Sequence, residues 1–459
     1  MWAYVLTHPI QYYTPALRRM ARSAGDDFEV LYCSGELESS HARAGFGVEY
    51  RWDVPLLDGY RYRFLKNCAK VPSTSSFAGL DNPELGRLIA NRTYTAVVVN
   101  GWHFKSAWRT ILACWRHGVP LLVRSDSHLR GPRTFRQWAK WPLYRSLIPR
   151  IDGCLPAGAW SREYFENYGA REDHIFTIPH CVDNRRFERE MQLLRPQREA
   201  VRRQWGIPPG ATVFLFAGKF IPVKRPADFV SAIARSARLD SSVVGLMAGD
   251  GPLRAQCEEH ARAAAAPVRF TGFLNQSRIP EAYAAADALV LPSETETWGL
   301  VVNEAMACGL PCIVSDRVGC GPDIVDRGVT GDVYPMGDIE ALAALLLRNE
   351  NLAALGRNAQ RKIESYSVAA AASATLKAVD TVSSRRRSCP KGRDVAQTPA
   401  CWIETHLDPP RREESPSERS PLRQECLRQA SARPPVPLPS RDREGAVTAA
   451  FDLPRRRHP

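Results

Sequence analysis

Nothing in the chain approaches the ~18–20 consecutive apolar residues that a membrane-spanning helix needs, so the sequence is not read as an integral helical membrane protein. No basic stretch precedes the short apolar run at the start of Met1–Pro9, and no secretory leader is read there. The chain also lacks any C-x-x-C pair. Its closest cysteines, Cys308 and Cys312, have no accompanying histidine set, which argues against a zinc module. The 12 cysteines are expected to be reduced core thiols of a cytosolic protein rather than a disulfide scaffold. Acidic residues are in short supply, 49 against 62 lysines and arginines, leaving a net charge of +13.

That excess is unevenly spread. Residues 385–459 hold 16 Lys+Arg and 10 Asp+Glu, so +6 lies in the C-terminal stretch and +7 before it. The same stretch carries 12 of the 35 prolines and little hydrophobic periodicity. Such composition does not bury enough apolar surface to offset chain entropy, and a disordered tail is expected over 384–459. A basic body is compatible with nucleic acid, an anionic membrane or a phosphorylated substrate, and equally with a basic surface that has no specific partner.

The remaining residues alternate β-branched apolar runs with amphipathic segments, the pattern of parallel sheets wrapped by helices. Strands are expected at Ala3–Thr7, Phe28–Cys33, Ala96–Asn100, Pro120–Ser125, Gly153–Pro156 and Ile175–Pro179. A second series is expected at Thr212–Ala217, Ser242–Ala248, Val268–Phe273, Ala288–Pro292 and Pro311–Ser315. The polar, arginine-rich stretch Asp183–Arg203 between the series reads as a linker. The expected organisation is a Rossmann-like domain over 1–185, a second over 186–365, a C-terminal helix over 366–383 and the tail. Open parallel sheets bind ligands beyond the carboxyl ends of their strands, so the two should face a common cleft.

Four segments fall at such strand ends. In Pro292-Ser293-Glu294-Thr295-Glu296-Thr297-Trp298-Gly299-Leu300, a buried strand gives way to a polar loop and then a helix. Glu304 follows Glu296 by eight positions, so both carboxylates can face the strand ends. The free N–H groups near Gly299–Leu300 suit an anion such as phosphate. Carboxylates suit sugar hydroxyls, and the combination suggests a sugar nucleotide. From spacing alone, Glu296 is as well explained as a first-turn acid and Glu304 as a solvated helix residue. Gly218-Lys219 and Lys224 follow the first strand of the second half, where the lysines are either point charges for a diphosphate or a solvated basic loop. Gly249-Asp250-Gly251-Pro252 reads as structural punctuation, with Asp250 capping a helix that starts near Pro252. Phe273 in Phe270-Thr271-Gly272-Phe273 is either core or a platform for a nucleobase.

Taken together and in order, G-K-x4-K-R at Gly218–Arg225, G-D-G-P at Gly249–Pro252, F-T-G-F at Phe270–Phe273 and the E-x7-E element of Glu296 and Glu304 resemble the retaining GT-B glycosyltransferases of family 4. The resemblance covers roughly residues 1–380 and implies an α/β GT-B fold, two Rossmann-like domains facing a cleft. By its pattern Glu296 contacts the donor sugar, Glu304 holds the ribose hydroxyls, and Lys219 and Lys224 bind the diphosphate. Lys219 stands where the family usually has arginine, and Thr297 where it usually has glycine. Trp298, Gly299 and Leu300 match residues whose backbone amides meet the sugar and phosphate; Gly218 and Phe273 complete the donor-binding set. On the acceptor side the resemblance points to His8 in His8-Pro9-Ile10-Gln11-Tyr12 and to Asp126 or His128 in Arg124-Ser125-Asp126-Ser127-His128. His180-Cys181 replaces the usual Asn-Gly before the linker.

The function so implied is transfer of a glycosyl unit from a nucleotide diphosphate sugar to a hydroxyl acceptor (sugar, glycan or lipid-linked) with retention, in the hexosyl-transferring class. The setting is synthesis of polysaccharide, glycan or glycolipid in the cytoplasm, with peripheral contact at the inner membrane face left open. No D-x-D element stands where a metal-dependent enzyme would carry it, so neither a metal nor a cofactor is expected. The alternatives are a nucleotide-sugar epimerase of the same fold and a non-catalytic sugar-nucleotide binder. A nucleic-acid partner, suggested by charge alone, has no matching motif.

Overall fold

The computed structural model describes residues 1–35, 51–91, 94–130, 135–348 and 350–388. The first half builds a parallel sheet from β1 (Trp2–Leu6), β2 (Phe28–Tyr32), β3 (Tyr62–Phe64), β4 (Val97–Asn100), β5 (Leu121–Ser125) and β6 (Gly153–Pro156). The second builds another from β7 (Thr212–Ala217), β8 (Val243–Ala248), β9 (Val268–Gly272), β10 (Ala288–Leu291), β11 (Cys312–Ser315) and β12 (Gly331–Tyr334). Their orders are β3-β2-β1-β4-β5-β6 and, read from the opposite edge, β9-β8-β7-β10-β11-β12. Both halves therefore share one doubly wound topology, with the order reversing between β1 and β4 and between β7 and β10. The central strands are apolar at nearly every position because helices cover both faces of each sheet.

The strand expectations hold for ten of the segments to within a residue or two at the ends. Ile175–Pro179 is not a strand: Ile175 makes a single bridge to Cys154, and its neighbours run on as connecting chain. Strands β3 and β12 were not anticipated. Each is an edge strand of three or four residues that is only partly buried, so it carries little apolar signal.

The expected linker is helical. Asn184–Leu194 and Arg198–Gln204 are helices, and Phe187, Met191 and Val201 pack into the core of the second sheet. Asp183 caps the first, its side chain accepting from Arg186 N at 3.1 Å. Arg185 and Arg189 face outward from an apolar stripe at Phe187, Met191 and Leu194, while Arg202 is buried and donates to Ala285 O at 2.9 Å and Ala211 O at 3.0 Å, so the segment is part of a domain rather than a spacer. Nor does Asp250 cap the helix after it. That helix begins at Arg254, and Asp250 instead accepts from Gly251 N at 2.8 Å and pairs with Arg254 at 3.1 Å.

After the second sheet the chain returns to the first. The helix Val368–Ser388 lays Ala371, Ala372, Ala378, Val379 and Val382 against Ala16, Leu17 and Met20 of the helix Thr14–Ala24. It runs to Ser388, past the expected end at 383, because its last turns still have partners. Ser383 Oγ donates to Thr95 O at 3.1 Å and Arg385 to Asp173 O at 2.7 Å. The expected tail beyond Ser388 lies outside the described residues. None of the described helices is long and apolar enough to cross a membrane.

Candidate active site

The loops at the carboxyl ends of β7, β8 and β9 are laced side by side through their backbones. Gly218 N donates to Ala248 O at 2.9 Å, Gly249 N to Gly272 O at 2.9 Å and Phe220 N to Asp250 O at 2.8 Å. Gly249 makes this approach possible: its φ is +139° and a Cβ there would sit 1.9 Å from Gly218 O. Gly249 and Gly251 thus serve close loop packing, whereas a Cβ at Gly218 would meet nothing within 4 Å, and the laced loops hold Lys219 at the mouth of the sheet.

The loop after β10 is fixed just as firmly. Glu294 N donates to Val223 O at 2.8 Å, which ties it to the turn carrying Lys224. Glu296 N donates to Arg317 O at 3.2 Å, and Glu296 O accepts from Gly319 N at 3.0 Å. At the end of this loop Gly299, with φ of +101°, turns the chain into the helix Leu300–Ala307. A side chain at Gly299 would crowd Leu291, Val318 and Glu296, so the helix N-terminus can approach the strand ends only with glycine there.

Between the halves these loops line a cavity of ≈ 370 Å³ at the switch point of the second sheet. Gly218, Lys219, Lys224, Phe273, Glu296, Thr297, Trp298, Gly299, Leu300 and Glu304, the donor-side residues expected from the sequence, all line it. Across it stand Tyr12, Trp52, Asp126 and His180.

The charges inside are specific. Lys224 Nζ forms an ion pair with Glu296 Oε2, both side chains being mostly buried. Burial and the neighbouring charge of Lys224 lower the pKa of Lys219. Two cations held this close in a partly desolvated site favour an anion between them.

Glu304 is no solvated helix residue. It is 3% exposed, and its Oε2 accepts from Tyr283 OH at 2.6 Å. Its Oε1 is buried with no hydrogen-bond partner among the described residues. Burial pushes its pKa up to about 7, tempered by the Tyr283 hydrogen bond, by Arg186 and by the nearby Tyr12 hydroxyl. An acceptor buried without a donor is costly unless a ligand supplies one.

Trp298 has a different place from its neighbours. Its indole is 3% exposed and bridges the halves: Nε1 donates to Asn303 Oδ1 at 2.8 Å, and Asn303 Nδ2 donates to His180 O at 2.9 Å. Asp323 adds a second tie, accepting from Ala159 N at 3.1 Å at the start of the helix Ala159–Asn167. The first half is thereby held in register against the second.

On the acceptor side only Asp126 of the three candidates lines the cavity. His8 is half-buried beside Thr7 Oγ1, 3.0 Å from its Nδ1, and is not among the lining residues. His128 turns away as well. Its Nδ1 accepts from Arg130 N at 3.1 Å and its ring meets the edge of Trp160, with burial lowering its pKa. The H-P-I-Q-Y turn instead presents Tyr12, because Tyr13 N and Thr14 N both return to Ile10 O. Tyr283, Gln276 and Trp52 also line the site and were not anticipated. Tyr283 sits in an apolar helical run where it looks like any core aromatic. His180, whose ring is 5.9 Å from that of Trp298, is kept neutral by burial and by Arg124.

Two doubly wound sheets with a charged cleft between them define a GT-B fold. Comparisons with known proteins agree. The model of the Glycosyl transferases group 1 family matches residues 197–365, and that of the Glycosyl transferase 4-like domain matches residues 10–181. Each half of the chain thus matches a glycosyltransferase model, the second half that of group 1. It is 35% identical over 224 residues to D-inositol 3-phosphate glycosyltransferase 2 of Catenulispora acidiphila, covering 45% of this chain and 51% of that protein. A GDP-mannose-dependent phosphatidylinositol dimannoside mannosyltransferase of Mycobacterium tuberculosis is 29% identical over 292 residues, 61% of this chain and 72% of that one. The chain spans about half the length of the curated relatives it matches first. Among solved structures, Anabaena HepE in complex with UDP and glucose shares the fold at a TM-score of 0.59 and 16% identity. The match covers 84% of this chain and 99% of that one.

Proposed function

We propose that the protein is a retaining glycosyltransferase that binds a nucleotide diphosphate sugar in the cleft and transfers the sugar to a hydroxyl acceptor presented from the first half. The observation that carries this reading is the arrangement at one switch point of the Lys224–Glu296 ion pair, Lys219 beside it, and Glu304 with a buried, unpartnered Oε1. Glu304 Oε1 suits a ribose hydroxyl. Lys219, Lys224 and the N–H groups of Gly299–Leu300 suit the diphosphate, whose negative charge grows as the bond to the sugar breaks. Glu296 lies beside Lys224, where the sugar carbon becomes cationic, and its carboxylate stabilises that charge. Attack from the face the diphosphate leaves, with that diphosphate taking the acceptor's proton, fits this set of groups.

We further propose that the two lysines and the helix amides provide the countercharge without a metal. The test is a donor screen that reads released nucleoside diphosphate, beginning with UDP-glucose and GDP-mannose. Turnover of at least one donor, unchanged by EDTA, is expected. A loss on chelation restored by Mg²⁺ or Mn²⁺ would place a metal at the diphosphate and overturn the second proposal. Failure of every nucleotide sugar to bind or turn over would overturn the first.

A further inference from the structure

Away from the cleft, the chain crosses between its halves at two places, Cys181–Asn184 and Ile363–Val368, which are joined by a bridge between Val182 and Ser367. Beside these crossings lies a groove of ≈ 650 Å³. Arg18, Arg19 and Arg22 enter it from the helix Thr14–Ala24 of the first half, and Arg185 and Arg189 from the helix Asn184–Leu194 of the second. Arg18 is fixed in place, donating to Asp58 O and Pro55 O at 2.8 Å each. The other four guanidinium groups make no ion pair among the described residues.

Glu188 and Glu364 line the same groove. They too form no ion pair among the described residues, and with Asp183 also in the wall the five arginines outnumber the three acids. Its wall contains Asn184, which is 6% exposed. Asn184 Nδ2 donates to Ile363 O at 2.9 Å, while its Oδ1 is buried without a hydrogen-bond partner. A merely solvated basic surface explains the arginines, but it does not explain a buried acceptor lacking a donor.

We infer that this groove is a second ligand site, distinct from the donor cleft, for a phosphorylated sugar or polyol. Arginine forks match the phosphate bidentately. The carboxylates of Glu188 and Glu364 and the Asn184 amide oxygen match hydroxyl donors. The volume falls within the range of small-molecule sites and far exceeds a bare phosphate ion. The ligand bridges one helix from each half and rests on both crossings. None of the residues named here lines the donor cleft.

Calorimetric titration of the full chain with glucose 6-phosphate and with myo-inositol 1-phosphate tests this. Glucose, inorganic phosphate and phosphatidylglycerol vesicles are the controls, and UDP is titrated in parallel to report the cleft separately. Saturable binding of at least one phosphorylated ligand is expected, tighter than inorganic phosphate. The double substitution Arg22→Ser with Arg189→Ser should weaken it about tenfold or more while leaving UDP binding unchanged. No saturation by about 1 mM, affinity no better than inorganic phosphate, or binding indifferent to the double substitution would each overturn the site. Binding to vesicles alone would assign the arginines to a membrane surface and overturn it equally. Loss of UDP binding in the unsubstituted protein would count against the donor cleft and not against this groove.

Discussion

The two halves wind their strands in the same order, yet their strand-end loops behave differently. In the second half the loops after β7, β8, β9 and β10 are bonded to one another through their backbones, and every donor-side residue expected there lines the cleft. In the first half Asp126 alone of three acceptor candidates does so, while His8 and His128 pack locally. A nucleotide diphosphate demands the same cations, amides and hydroxyl acceptors whatever the sugar, so its loops follow a recognisable pattern. Acceptors differ in shape and charge, and the loops that meet them carry no common signature.

Substitutions can break this comparison. Lys224→Ala should have the largest effect, lowering kcat by about 10³-fold and weakening donor affinity. It removes a charge on the growing diphosphate anion and strands Glu296, largely buried, without its cation. Steady-state kinetics with the donor identified by the screen would check this. Glu296→Gln should lower kcat about 10²-fold with donor KM nearly unchanged, because the charge it stabilises exists only in the transition state. Glu304→Gln should instead raise donor KM, about tenfold, with kcat largely kept, because the hydroxyl contact is the same in ground and transition states. Equal effects of both glutamate changes on KM alone would turn the second half into a binding module.

Glu304 also gives the comparison a pH signature. Its pKa rises on folding from an ordinary 4.5 to about 7. Between those values the unfolded chain has lost a proton that the folded chain keeps, so this group costs stability as pH rises, and the cost is complete above pH 7. The Tm of Glu304→Gln relative to the unsubstituted protein should therefore climb through that window and then level off. A flat difference would mean that the carboxylate ionises normally. In the first half, Asp126→Asn should lower transfer while leaving UDP binding within about twofold, and His128→Ala should change neither transfer nor UDP binding. A larger effect from His128 would show that the acceptor reaches beyond the described cleft.

Much of this was legible beforehand, for physical reasons that vary by element. Central strands such as Thr212–Ala217 announce themselves because both faces are buried, while β3 and β12 are short, half-exposed edges. The helix Asn184–Leu194 was masked by its arginines, although Phe187, Met191 and Leu194 already stood at helical spacing. The chemistry-bearing residues of the donor side were legible through motif order. Their energetics were not: pairing of Lys224 with Glu296, and burial of Glu304 against Tyr283, come from elements far apart in the chain. Tyr283 was missed because an aromatic in an apolar run looks the same whether it faces core or ligand, and Tyr12 because nothing in its polar turn says which side chain meets the cleft.

Titration of UDP and of GDP into the full chain, side by side with Lys224→Ala, tests the central claim most directly. Saturable binding of one nucleoside diphosphate, weakened about tenfold or more by the substitution, is the predicted result. Absence of binding by both, or binding that does not notice the loss of Lys224, would contradict a donor site at the second sheet's switch point.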